Sequence, residues 1–220
     1  MKDYSAKIVN EIKKILDEDD WDYSFENEFG IIITKLDCKE EIKRIGYMIN
    51  VGDDWYRVSA KASLKADKRD KDAMLALAEL TCRANCWLVG GFMGLDMDTG
   101  TISVSCVVNC KGIAPSKGMI KHSIYYPAAV FGVYGRGLRD VIFGRASAKE
   151  AADRCEKRDE GGKETGKTVK QDSKATDRMF HRLSELFESP EESKGSPKDM
   201  QTKTRTEINF NLFESEGDNE

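Results

Sequence analysis

Apolar and polar residues change rhythm along the chain, and each change marks an element. At the front, Ile8, Val9, Ile12, Ile15 and Leu16 recur at i, i+1, i+4, i+7 and i+8, the spacing of one helical face. With Ser5 as cap, this predicts an amphipathic helix over residues 5–17. Short runs then replace it and predict four strands, over 21–25, 30–36, 42–51 and 55–63. Glu26-Asn27-Glu28 and Gly52-Asp53-Asp54 supply turn-forming residues between them, and residues 38–41 form a less marked divider. A second, buried helix is predicted over 72–84. Two strands follow, folded about Asp96-Met97-Asp98-Thr99-Gly100.

The strand after that turn is the clearest in the chain. Ile102, Val104, Cys106, Val108 and Cys110 fall on one side, and Thr101, Ser103, Ser105 and Asn109 on the other. A period of two means a sheet with one packed face and one wet face. Helical spacing then returns behind Ser116, a candidate cap. Pro127 either kinks that helix or opens a second one, because proline suits a first turn and disrupts an interior. Val130, Phe131, Tyr134, Leu138, Val141 and Ile142 form the apolar stripe beyond it. Ser147-Ala148-Lys149-Glu150 has capping-box spacing and starts a short last helix. Runs of strands beside runs of helices, with no internal repeat, predict an α+β fold. The expected architecture is an antiparallel sheet carrying N-terminal, central and C-terminal helices on one face.

Composition divides the chain in two. Apolar residues fill positions 6 to 143, whereas from about Asp153 onward Lys, Glu, Asp, Ser, Thr and Gly dominate. One α+β domain is expected over 1–155, long enough to bury a core. A mostly disordered charged tail is expected over 156–220. The formal net charge of −4 is mixed in sign, and no Lys/Arg block with interleaved aromatics gives the footprint of a nucleic-acid binder. The start, MKDYSAKIVNEIKK, does not read as a signal peptide. No stretch approaches about 18 uninterrupted apolar residues, the length that spans a bilayer. A cytoplasmic protein is expected, with neither nucleic acid nor membrane as partner.

Candidate chemistry is sparse. Cys38, Cys82, Cys86, Cys106, Cys110 and Cys155 should be reduced in the cytoplasm. Two C-x3-C pairs suggest zinc. On a strand, however, Cys106 and Cys110 stand roughly 13 Å apart, too far to meet sulfur-to-metal distances of about 2.3 Å at one centre. They fit better as small core hydrophobes. No metal, cofactor or catalytic residue is assigned. Gly161-Gly162-Lys163-Glu164-Thr165-Gly166-Lys167-Thr168 satisfies G-x4-G-K-[ST], but a phosphate-binding loop needs a buried strand before it and a helix after it. Arg154 to Glu160 is too charged for such a strand, and Val169 to Ser173 lacks apolar periodicity. His122 reads as an exposed polar position on a helix, and His181 lies in the tail. Asp96 and Asp98 read as turn residues, and Asp17 to Asp20 as a solvated helix end.

Two tail segments stand out. Met179, Phe180, Leu183, Leu186 and Phe187 recur at helical spacing within residues 177–188, while Ile208, Phe210 and Leu212 alternate within 207–213. Each is either linker or a short recognition segment, the first suited to a groove and the second to a sheet edge. The first could also dock on its own domain.

The order of elements, Ala84-Asn85 at a helix end and Gly91-Phe92-Met93-Gly94-Leu95-Asp96 on a strand resemble the YbjN family of bacterial proteins. Tyr125-Tyr126-Pro127-Ala128 and Ser147-Ala148-Lys149-Glu150-Ala151 are similar too. The resemblance covers about residues 5–155. It implies a fold like that of type III secretion chaperones and a non-enzymatic, protein-binding domain of regulatory or chaperone-like type, without established catalytic residues. Leu80-Thr81-Cys82-Arg83 departs from the more polar helix end of the family and leaves open whether the same partners are bound; the protein partner is not identified, and a homodimer is compatible with the sequence. The rival expectation from another class is a nucleotide-binding enzyme that uses Gly161 to Thr168.

Overall fold

The computed structural model describes residues 3–38 and 42–157. The expectations for the tail, including its disorder, the helical stripe from Met179 to Phe187, the glycine-rich motif and His181, lie outside the described residues.

Ten elements follow in chain order: α1 (Ala6–Glu18), β1 (Tyr23–Glu26), β2 (Ile31–Asp37), β3 (Arg44–Val51), β4 (Trp55–Lys65), α2 (Lys71–Asn85), β5 (Phe92–Leu95), β6 (Thr101–Asn109), α3 (Lys117–Ile142) and α4 (Ala148–Lys157). This is the α+β order expected, with boundaries close to the sequence reading. Ser5 caps α1 by accepting from the Ile8 N–H, Ser116 caps α3 through Met119, and the Ser147–Glu150 box opens α4.

The six strands form one sheet in the order β1-β2-β3-β4-β6-β5, and every neighbouring pair is antiparallel. Four consecutive strands make a meander. Helix α2 then carries the chain across, and the β5–β6 hairpin returns to lie along β4. Because side chains alternate in direction along a strand, the register sorts them into two faces. Tyr23, Thr34, Tyr47, Ala60, Val104 and Met93 line up across the sheet on one face, and all but Tyr23 are buried.

The described helices pack on that face and at the β5 edge. The Lys13 ammonium of α1 sits 3.6 Å from the Phe25 ring centre. Helix α2 is tied to Met93 through Asn85, and α3 meets Tyr56, whose hydroxyl is 3.1 Å from Ser123 Oγ. Helix α4 packs on α2 and α3, and Arg154 donates to the buried Asp140 carboxylate at 3.3 Å.

Of the two alternatives at Pro127, the second helix is not the outcome: α3 runs through the proline as one element. Proline has no N–H to give the Ser123 carbonyl. At that same turn the Ser123 hydroxyl donates to the Ile120 carbonyl at 2.8 Å and meets Tyr56 from β4. Packing on the sheet holds the helix continuous where its own ladder lacks a bond.

The acidic run ending α1 differs from the solvated end expected. Lys117 reaches Glu18 at 2.6 Å, and Lys121 reaches Asp19 at 2.6 Å. Tyr125 also donates to Asp19, at 2.8 Å, while its ring packs edge-on against Trp21. These carboxylates join α1 to the first turns of α3. Burial opposes ionisation of Asp19, but the hydrogen bonds from Lys121 and Tyr125 outweigh it and hold the carboxyl below its usual range. A depressed folded-state value gives stability that is present above the unfolded value, about 4, and is lost as pH falls through the lower folded value. Thermal melts from about pH 7 to about pH 3 should therefore show Asp19→Asn less stable than the parent at neutral pH and converging with it in acid. Parallel curves throughout would mean the joint contributes nothing.

Candidate functional site

The opposite face of the sheet carries no helix among the described residues. Its middle row is Ser24, Ile33, Met48, Ser59, Ser105 and Phe92, one from each strand. Glu26, Ile31, Asn50, Arg57 and Val107 form the row on one side. Lys35, Gly46, Lys61, Ser103 and Gly94 form the row on the other. Alternation alone makes this the wet face, yet its centre is dry. Ser105 is 1% exposed, and Ile33 and Ser59 are also buried.

Arg57 explains the dryness at Ser105. Its guanidinium donates to Ser105 Oγ at 3.3 Å and lies 5.7 Å from the Phe92 ring centre. The side chain thus runs from β4 across β6 towards β5, its carbon stem covering small residues while its charge rests against an aromatic face. Beneath it, Ser59 and Ser105 satisfy each other at 3.1 Å. Around this centre large apolar groups stay open to solvent: Phe92 at 45%, Trp55 at 41% and Val107 at 59%. Apolar side chains beside Arg57, Lys61 and Lys35 make a surface that is both sticky and cationic.

Sequence reasoning did not find this surface. The one signal was Val107, an apolar residue among Thr101, Ser103, Ser105 and Asn109 on the side read as polar. Nothing in the sequence places Phe92 beside Arg57, because β5 and β4 meet only through β6.

The edge at β5 is closed in a specific way. Asn85, at the end of α2, donates to the Met93 carbonyl at 2.9 Å and accepts from the Met93 N–H at 2.8 Å. One side-chain amide therefore does what a neighbouring strand would do. An exposed strand edge invites pairing with another chain, and here α2 blocks it at the outermost strand.

The remaining candidates resolve plainly. Cys106 and Cys110 are buried as expected, while Cys82 and Cys86 are exposed on α2. Burial pushes the Cys106 thiol up to about 12, so it stays protonated and unreactive. No group of three or more His, Cys, Asp or Glu among the described residues could hold a metal. Asp96 accepts from the backbone of Asp98 and Thr99 in the turn before β6, and its hydrogen bond with Thr99 holds its carboxyl low. His122 is not the exposed position expected. It is half-buried and stacked on Tyr126 with ring centres 5.6 Å apart, because Gly90 leaves space for both rings; burial lowers its pKa. No helix of the described residues is long and apolar enough to cross a membrane.

Comparison of the chain with protein-family models, with curated proteins and with solved structures gives no match.

Replacing the edge cap should expose the β5 edge. Asn85→Ala removes two hydrogen bonds and leaves Met93 unpaired, a loss of about 1–3 kcal/mol. Chemical denaturation should show that loss. Light scattering during refolding should show more self-association than in the parent. An unchanged midpoint with unchanged scattering would show that the amide only decorates the edge.

Proposed function

We propose that the chain is a non-enzymatic protein-binding domain, regulatory or chaperone-like, that takes its partner on the open face of the sheet. The observation that carries the reading is the Arg57–Phe92–Val107–Trp55 surface: large apolar side chains half open to water, interleaved with cations, on a face that no helix among the described residues covers. Enrichment in aromatics and Arg marks the energetically important parts of protein interfaces. The resemblance to the YbjN family supports the same class of activity. Nucleotide chemistry has less support, since the sequence offers neither a buried strand before Gly161 nor a helix pattern after Thr168.

The surface also specifies its partner in chemical terms. Lys35, Arg57 and Lys61 favour acidic side chains. Met48 and Phe92 in the row between them favour an apolar stripe. An amphipathic segment with acidic flanks satisfies both. Completing the burial of Phe92, Val107 and Trp55 contributes about 1 kcal/mol each, partly offset by the ordering of the segment. Binding is therefore moderate and reversible.

Selection of random 16-residue peptides, a length of about four helical turns, against the full chain tests this. The peptides recovered should combine an apolar stripe with Asp or Glu. Their affinity should fall at least tenfold for Arg57→Glu with Phe92→Ser, and stay within about twofold for Leu75→Ser on α2. Peptides that bind the double variant as tightly as the parent would refute the open face as the site.

A further inference from the structure

We infer that the chain's own segment from Asp177 to Glu188 occupies the open face, its stripe of Met179, Phe180, Leu183, Leu186 and Phe187 packed over Phe92, Val107 and Met48. This rests on the reading of that face as a binding surface and names its resident occupant. External partners must then displace it.

Three observations lead to this segment. The first is where the described chain ends. Helix α4 packs against α2 and α3 and stops at Lys157. Its Glu156 lies within electrostatic reach of Arg83 in the last turn of α2. Two residues on, Asn85 is bonded to Met93 in β5. The chain therefore leaves the domain beside the β5 edge, the same edge that carries Phe92 onto the open face. Trp87 and Val89, both exposed, sit in the connection between α2 and β5 along that way.

The second is length. Residues 158 to 176 separate that exit from the stripe. Extended, they reach about 63 Å, against roughly 40 Å across a domain of this size. The segment can pass round the sheet edge with chain to spare. Tethering at this distance also gives an effective concentration that a free partner must exceed.

The third is chemistry. Five large apolar side chains at helical spacing match a sheet face whose exposed positions are Phe92, Val107 and Trp55. Covering one face of a sheet with an amphipathic helix is how layers normally pack. Glu185 and Glu188 make the end of the segment acidic, and Glu191 and Glu192 continue that charge just beyond it, opposite in sign to Lys35, Arg57 and Lys61. Pro190 stops the helical pattern just past Glu188.

Photo-crosslinking in the full chain tests the inference. Val107→p-benzoylphenylalanine places the reactive group on the open face, and Leu75→p-benzoylphenylalanine places it on the exposed side of α2 as a control. After irradiation, mass spectrometry should find residue 107 joined within one chain to peptides spanning 179–187, with a yield independent of protein concentration. Phe180→Ser with Leu183→Ser should cut that yield at least tenfold, and residue 75 should capture the segment at least tenfold less. Crosslinks between two chains, equal capture from residues 75 and 107, or no capture of 179–187 would each overturn it. Adding a peptide from the random selection separates the two readings. If residue 107 captures that peptide but never the tail, the face binds partners and the resident segment is wrong; if it captures neither, both readings fail.

Discussion

The register of β4 is the constraint on which the two faces depend. It pairs with β3 on one side and β6 on the other, so its alternation is imposed on most of the sheet. Tyr56, Val58, Ala60 and Ala62 point to the helices and are buried. Arg57, Ser59 and Lys61 point the other way. A slip by one residue would exchange the sets, driving Arg57 and Lys61 under α3 and lifting Tyr56 out of reach of Ser123. The cost of burying such charges makes the alternative register inaccessible, and the cationic open face is the other side of the same choice.

Much of the fold was legible because it is written in local periodicity. The stripe from Ile8 to Leu16, the alternation from Ile102 to Cys110 and the caps at Ser5, Ser116 and Ser147 each specify an element within a few residues. The strand order was not. Joining β6 to β4 is a pairing between segments some 50 residues apart, and no local pattern encodes it. Pro127 shows the same limit: the turn it interrupts is met by Tyr56 on β4, a residue that only packing brings to Ser123.

The candidate site was illegible for a related reason. Arg57, Phe92, Trp55 and Val107 belong to three strands and form no motif, and the polar alternation of β6 makes their face look merely solvated. Ser105 shows how that alternation misleads, since a serine on the outward side becomes fully buried once Arg57 crosses over it. Likewise Glu18 and Asp19 read as solvated until α3 supplies Lys117 and Lys121. Polar residues in this chain often owe their role to a partner distant in sequence, which composition and spacing do not reveal.

The central claim is that this open face is a working surface that is covered in the intact protein. Hydroxyl-radical footprinting of the full chain tests it most directly, because the structure provides an internal control. Phe92 on the open face and Phe143 after α3 are 45% and 60% exposed, and each has an arginine over its ring at a similar distance. By exposure alone they should be oxidised at comparable rates. A covered face predicts Phe92 reacting at least fivefold more slowly than Phe143, with the difference removed by Phe180→Ser and Leu183→Ser. Rates that follow the exposures in the unmodified chain would contradict the account.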